Sequence, residues 1–209
     1  MRVIVARHAE TQKNKEKILQ GSGAGLGSTL TEVGIRQSNK LCDHLLREFD
    51  ISTVISSPSR RTLETVRSIQ DRVSVFTTNS NLREIDCGDW EGVKISVLES
   101  EYRAAWDRWK NEPLGFTFPG GESLNDVYKR TRLFLSELFN GKTQGDVLLV
   151  SHSATISTLI ANAMKIDLSE AWETGIGYHK NAHYSVFSFD ELGGIKESTL
   201  KIGSHLTNA

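Results

Sequence analysis

Two short apolar runs, each closed by a histidine, constrain this chain more than any other feature. Val3-Ile4-Val5-Ala6 leads into Arg7-His8, and Val147-Leu148-Leu149-Val150-Ser151 leads into His152. Apolar runs of four to eight residues read as strands. In an open parallel sheet the ligand crevice lies outside the carboxyl ends of the strands, so both imidazoles are expected at one edge of one sheet.

The rest of the chain supplies the partners of that sheet. Further β-branched runs stand at residues 53–56, 73–77, Tyr184–Phe189 and Ile195–Ile202, and helical patterns fill most of the gaps. Thr31 followed by Glu32 opens a helix to about Phe49, with Val33, Leu41, Leu45 and Leu46 as its apolar positions. Ser57-Pro58-Ser59 opens another. Leu124, Val127, Thr131, Phe134, Leu135 and Leu138 lie on one face of a helix over residues 123–139, which Gly141 stops before the strand that ends at His152. The alternation is that of an α/β chain. The expected fold is a mainly parallel central sheet with helices on both faces and an antiparallel edge, closed by a hairpin around Glu191-Leu192-Gly193-Gly194. At 209 residues one domain, 1–209, is the expected organisation, with no linker or internal repeat.

Composition narrows the function. A formal net charge of -1 leaves no electrostatic footprint for nucleic acid or an acidic membrane surface. No apolar stretch approaches the ~18 residues of a membrane span, and the start MRVIVARH turns polar too early for a signal-peptide core. Cys42 and Cys87 form no metal-ligand spacing and fit a reduced, cytoplasmic setting. Residues 20–28, QGSGAGLGS, form a glycine-rich loop near His8 in sequence, yet neither G-x-G-x-x-G nor the P-loop pattern can be written there. Residues 102–119 set Trp106, Trp109, Phe116 and Phe118 among Arg103, Arg108 and Lys110, which reads either as a helix covering the sheet or, over 92–122, as a lid on the site.

Other strand exits carry charge that suits the two histidines. Arg60-Arg61 follow residues 53–58, and Glu84 opens an acidic segment with Asp86, Asp89 and Glu91 as alternative acids. Two imidazoles, two arginines and a carboxyl group form a phosphoryl-transfer set. A neutral imidazole attacks phosphorus and carries the group covalently. Forked, permanently charged guanidinium groups match the phosphoryl oxygens. A carboxylic acid protonates the leaving alkoxide and, as its base, activates water. No metal or cofactor is required by that chemistry. His179 and His183 run into a strand pattern and do not make a helical metal pair, His44 and His205 read as structural, and Ser151 and Ser153 lie in no G-x-S-x-G motif.

Taken in order, Arg7-His8-Ala9-Glu10-Thr11 with Asn14, Ser56-Ser57-Pro58-Ser59-Arg60-Arg61-Thr62, Leu82-Arg83-Glu84 with Gly88-Asp89-Trp90-Glu91-Gly92, Pro119-Gly120-Gly121-Glu122-Ser123 and Val150-Ser151-His152 resemble the histidine phosphatase superfamily, in its phosphoglycerate mutase-like branch, over nearly the whole chain. The resemblance implies His8 as the phosphorylated nucleophile and Glu84 as proton donor. It implies Arg7, Arg61 and His152 as phosphoryl ligands, joined by Asn14, Gln20, Gly21 and Ser153, with Arg60 outside the pocket. The short chain and the segment from Glu84 to Gly92 look like the cofactor-independent phosphatases of that branch. The expected function is therefore a phosphomonoesterase acting on a small phosphorylated metabolite, with phosphoglycerate mutase-type transfer and a non-catalytic phosphoprotein-binding domain as alternatives. Residues 106–123, 167–169 and 181–186 look most like metal-independent phosphoserine phosphatases. Three departures stand out: Ala9 and Ser153 replace the usual glycines, the segment between Gly21 and Leu30 is longer and lacks its aspartate, and Cys87 holds the place of a histidine tied to serine recognition. A homodimer through the edge of the closing hairpin is the expected assembly, if any.

Overall fold

The computed structural model describes residues 1–23, 29–141, 145–190 and 194–207. Among them β1 (Arg2–Arg7), β2 (Ile51–Ser56), β3 (Val75–Thr78), β4 (Asp146–Ser151), β5 (Tyr184–Phe189) and β6 (Ile195–Ile202) form one mixed sheet in the order β3-β2-β4-β1-β5-β6. β1, β2, β3 and β4 run parallel, while β5 lies antiparallel to β1 and β6 antiparallel to β5. The expected antiparallel edge is thus two strands deep. The turn expected around residues 191–193 and the glycine-rich stretch 24–28 lie outside the described residues.

The first helix, α1 (Gln12–Lys15), is a single turn after β1, and the longer helices cover both faces of the sheet because both faces of the central strands are apolar. Ile4 and Ala6 of β1, with Leu148 and Val150 of β4, pack against Leu41 and Leu45 of α2 (Glu32–Glu48). Val3 and Val5, with Val147 and Leu149, pack on the other face against Phe134 and Leu138 of α6 (Leu124–Asn140) and Ile156 and Ile160 of α7 (Ser153–Met164). Alternate residues of one strand therefore feed two cores, as the two-residue period of a strand requires.

The element boundaries follow local chemistry. Thr31 caps α2 by accepting a hydrogen bond from the Gly34 N–H at 2.9 Å. Ser123 and Asp126 close a capping box at the start of α6, whose six apolar or small positions named from the sequence are all buried. Val33, expected on the inner face of α2, is 42% exposed. The buried stripe runs Gly34, Ser38, Leu41, Cys42, Leu45, and Val33 lies to its side. β3 begins two residues later than its apolar run, because a 3₁₀ turn at Arg67–Arg72 delivers Val73 into the core before the strand starts.

A third apolar cluster stands over the carboxyl edge of the sheet. α4 (Ile95–Glu101), α5 (Arg103–Asn111) and the segment to α6 bury Trp106, Phe116 and Phe118 around Trp90, whose ring centroid lies 5.5 Å from Phe118 and 6.1 Å from Trp106. Residues 92–122 therefore include a packed aromatic wall beside the strand exits. No helix is long and apolar enough to cross a membrane among the described residues.

Candidate active site

Strand order brings the two histidines together. β1 and β4 are parallel neighbours with Arg7 opposite Ser151, so the next residue on each, His8 and His152, leaves the sheet at the same level. The His8 N–H donates to the Ser151 carbonyl at 3.1 Å, and the two rings lie 5.3 Å apart. β2 is the other neighbour of β4, so its exit, Ser57-Pro58-Ser59, delivers Arg61 in the first turn of α3 (Arg60–Thr65) to the same place.

His8 is buried, and its tautomer is set by its surroundings. Nδ1 lies 2.8 Å from the Ala9 carbonyl, which can only accept, so Nδ1 carries the proton and Nε2 keeps its lone pair. Burial, then Arg61 and Arg7, hold the His8 imidazole well below its ordinary pKa. At neutral pH it is an uncharged base with Nε2 left for the cavity. Asn181 donates to the His8 carbonyl at 3.1 Å and the Ala9 N–H donates to Thr65 Oγ1 at 2.9 Å, so the backbone on either side is pinned.

His152 is fully buried and serves Arg61. Arg61 Nε donates to His152 Nδ1 at 3.1 Å, which leaves the proton of the neutral ring on Nε2, donating to Ser57 Oγ at 2.8 Å. Arg61 Nη2 donates to the Gly21 carbonyl at 2.7 Å. The fork is thus gripped on two sides. Both His152 nitrogens are engaged within the protein, and the ring stands behind Arg61 and outside the cavity lining. Burial, followed by Arg61 and His8, holds its pKa far below the ordinary value. Burial also lowers the Arg61 guanidinium to about 10, against the pull of Glu84 and Glu91, and it remains a cation at neutral pH. Arg7 donates from Nη1 to the His179 carbonyl at 2.6 Å, and its buried Nε has no partner among the described residues.

Glu84 faces these cations from the segment after β3. Its Oε1 accepts from the Ile85 and Thr155 N–H groups at 3.0 and 3.2 Å and from Thr155 Oγ1 at 3.2 Å, while Oε2 lies 3.3 Å from the Ala154 N–H. The N-terminus of α7 therefore holds the carboxyl group in place. Asn14 Oδ1 accepts from the Thr11 N–H, Thr11 Oγ1 and Asn181 Nδ2 at 2.9 to 3.2 Å, which turns the Asn14 amide N–H donors toward the cavity. Gly21 has φ +58, and a Cβ there would stand 2.0 Å from Glu91 Oε1, so the turn that carries the Arg61 acceptor needs glycine.

Arg7, His8, Asn14, Gln20, Gly21, Arg61, Glu84 and Ser153 all line one cavity of about 300 Å³. Of the residues that the resemblance named as nucleophile, proton donor or phosphoryl ligand, His152 alone is missing from that lining, and it lies behind Arg61. Arg60 pairs with Glu64 at 2.6 Å on the outside, away from the histidines. A larger cavity of about 710 Å³ lies on the other side of Arg61, but it contains neither histidine nor Glu84. Ser57, Thr65, Thr155 and Asn181 were not legible as site residues, since single hydroxyl or amide side chains carry no spacing signal. His179 is buried, donating from Nδ1 to the Gly177 carbonyl and accepting from Ser185 Oγ, and so fixes the carbonyl that holds Arg7. Among the described residues no three His, Cys, Asp or Glu side chains converge as metal ligands. Both cysteines are free; burial pushes the Cys42 thiol up to about 11 and the Cys87 thiol higher still, with Glu84 and Glu91 adding to the latter.

The chain as a whole has counterparts among known proteins. A relative from Hydrogenobacter thermophilus, phosphoserine phosphatase 1, is 32% identical over 192 residues, covering 91% of this chain and 88% of that protein. The solved structure of Bacillus stearothermophilus YhfR superposes with a TM-score of 0.85 at 25% identity, covering 98% of both chains. A mycobacterial glucosyl-3-phosphoglycerate phosphatase, solved with VO3, superposes with a TM-score of 0.83 at 25% identity over 96% of this chain and 98% of that one. Residues 3–199 match the sequence profile of branch 1 of the histidine phosphatase superfamily, and the chain belongs to that superfamily.

Proposed function

We propose that this protein is a phosphomonoesterase that works through a phosphohistidine at His8. The observation that carries the reading is the buried, neutral imidazole whose Nδ1–H is fixed on the Ala9 carbonyl, leaving Nε2 as a nucleophile beside two arginines and a carboxyl group. The Nε2 lone pair forms a bond to phosphorus as the bond from phosphorus to the ester oxygen breaks. Arg7 and Arg61 neutralise the phosphoryl oxygens, and the Asn14 amide donates to them. The Glu84 carboxylic acid gives its proton to the departing alkoxide. In the second half the Glu84 carboxylate takes a proton from water, the hydroxide attacks phosphorus, and the bond to Nε2 breaks to release inorganic phosphate. His152 supports both steps by orienting Arg61. Two of the relatives described above carry phosphatase names, which supports hydrolysis over transfer to a second acceptor.

Charge neutralisation here comes from fixed guanidinium groups, so the reaction is proposed to be metal-independent. Phosphate release from p-nitrophenyl phosphate, followed with and without EDTA, tests this. Retained activity in EDTA and its loss in His8→Ala are expected; strict dependence on a divalent ion contradicts the reading. Two free, buried cysteines fit the proposed cytoplasmic location. The outer edge of β6 is the proposed pairing surface for a homodimer, which sedimentation velocity measures.

A further inference from the structure

Away from His8 the cavity changes character. Ile18, Leu19, Ile95, Trp109, Phe118 and Trp172 form its outer walls. They come from separate parts of the chain, so the apolar surface is built by the fold and not by one loop. The aromatic part is continuous, with Trp109 4.7 Å from Phe118 and 5.1 Å from Trp172 between ring centroids. Phe118 is fully buried and edge-on to Trp90, which fixes that wall.

The charges in the cavity are already assigned. Arg7 and Arg61 are its guanidinium groups, and both belong to the phosphoryl end. Glu84 is its carboxyl group, and its oxygens already accept from Ile85, Ala154 and Thr155. Glu91, another acid of the segment, is bound to the Gly23 N–H at 3.0 Å from both oxygens and lies outside the lining. Among the described residues that line the cavity, an ammonium group on a substrate finds no carboxylate besides Glu84, and a substrate carboxylate finds no cation besides Arg7 and Arg61. A charge buried without a partner is costly, whereas an apolar ring gains from burial and from edge contacts with other rings.

We propose that the alcohol released by this enzyme is uncharged and ring-bearing, seated against Trp109 and Trp172 with Phe118 packed behind them, and is not a zwitterionic amino acid. This assignment rests on the phosphomonoesterase reading and names its substrate class. It sets the chain apart from what the name of its relative at 32% identity says of that protein. The balance is that of hydrolysis: one ester oxygen–phosphorus bond breaks, water supplies the new oxygen on phosphorus, and its proton ends on the alcohol by way of Glu84.

The test is kcat/KM of the full chain for 2-phenylethyl phosphate against phosphoserine, two alkyl esters that differ in charge and ring. The expected result is at least a hundredfold preference for 2-phenylethyl phosphate, carried mainly by KM. Trp109→Ala is expected to reduce that preference about tenfold, the size of a lost ring contact and its burial. Equal or better hydrolysis of phosphoserine by the unaltered protein overturns the substrate class and leaves the phosphomonoesterase reading standing. Failure to release phosphate from either ester or from p-nitrophenyl phosphate overturns both.

Discussion

At the scale of single residues, the chemistry rests on which nitrogen of which histidine is free. The Ala9 carbonyl settles this for His8, and Arg61 with Ser57 settle it for His152. The roles of the two rings therefore differ, one as nucleophile and one as support for a cation. Glu84→Gln keeps the shape but removes the proton, so hydrolysis of an alkyl ester is expected to slow about 10²–10⁴-fold. The first step on p-nitrophenyl phosphate, whose leaving group needs no proton, is expected to suffer much less; a burst of nitrophenol followed by a slow steady state is the diagnostic. Arg61→Lys loses the fork that spans His152 and Gly21, and about 10²–10³-fold in kcat is expected to go with it. Equal kcat for Arg61→Lys and the parent in a stopped assay contradicts that role. Strand exits pointed to Arg7-His8, to the Arg60-Arg61 pair and to the acidic segment, while the choice of Arg61 from the pair and of Glu84 from four acids came from the family resemblance. His152 was legible as a site residue but not as one behind the wall, since its orientation depends on Ser57, a contact across 95 positions.

At the scale of elements, legibility followed periodicity. The face of α6 was readable in full because its apolar residues are large and regularly spaced. That of α2 was readable at Leu41, Leu45 and Leu46 but not in its first turns, where Val33 points aside because the inner stripe begins with Gly34 and Ser38, which carry no hydrophobic signal. Gly34 has a structural reason: a Cβ there would meet the Glu10 carbonyl oxygen at 2.0 Å. α2 therefore packs directly on the backbone two residues beyond His8. Gly34→Ala is expected to push the helix off that segment and to cost about 1–3 kcal/mol in urea unfolding, with reduced kcat as the Ala9 carbonyl shifts. An unchanged urea midpoint contradicts the close approach.

At the scale of the whole molecule, buried histidines make stability depend on pH in one direction. His179 and His205 are held down to about 4, chiefly by burial, against an ordinary value of 6.5, and His8 and His152 are held well below it. Between those values the unfolded chain binds protons that the folded chain refuses, so stability is full above about pH 6.5 and falls as the pH drops toward 4. For the fully buried His179 the difference is worth roughly 3 kcal/mol. Urea midpoints are expected to stay level from pH 7.5 to about 6.5 and to fall from there to pH 4.5, and His179→Gln is expected to flatten that slope; a profile that is level down to pH 4.5 contradicts the burial. The same burial keeps His8 uncharged, which ties the acid sensitivity of the fold to the readiness of the nucleophile. The central claim is that His8 carries the phosphoryl group, and rapid acid-free quench of a single turnover with a ³²P-labelled phosphomonoester measures it directly. An acid-labile, base-stable label on the His8 peptide is expected, absent from His8→Ala, and an active protein whose His8 never takes the label contradicts the account.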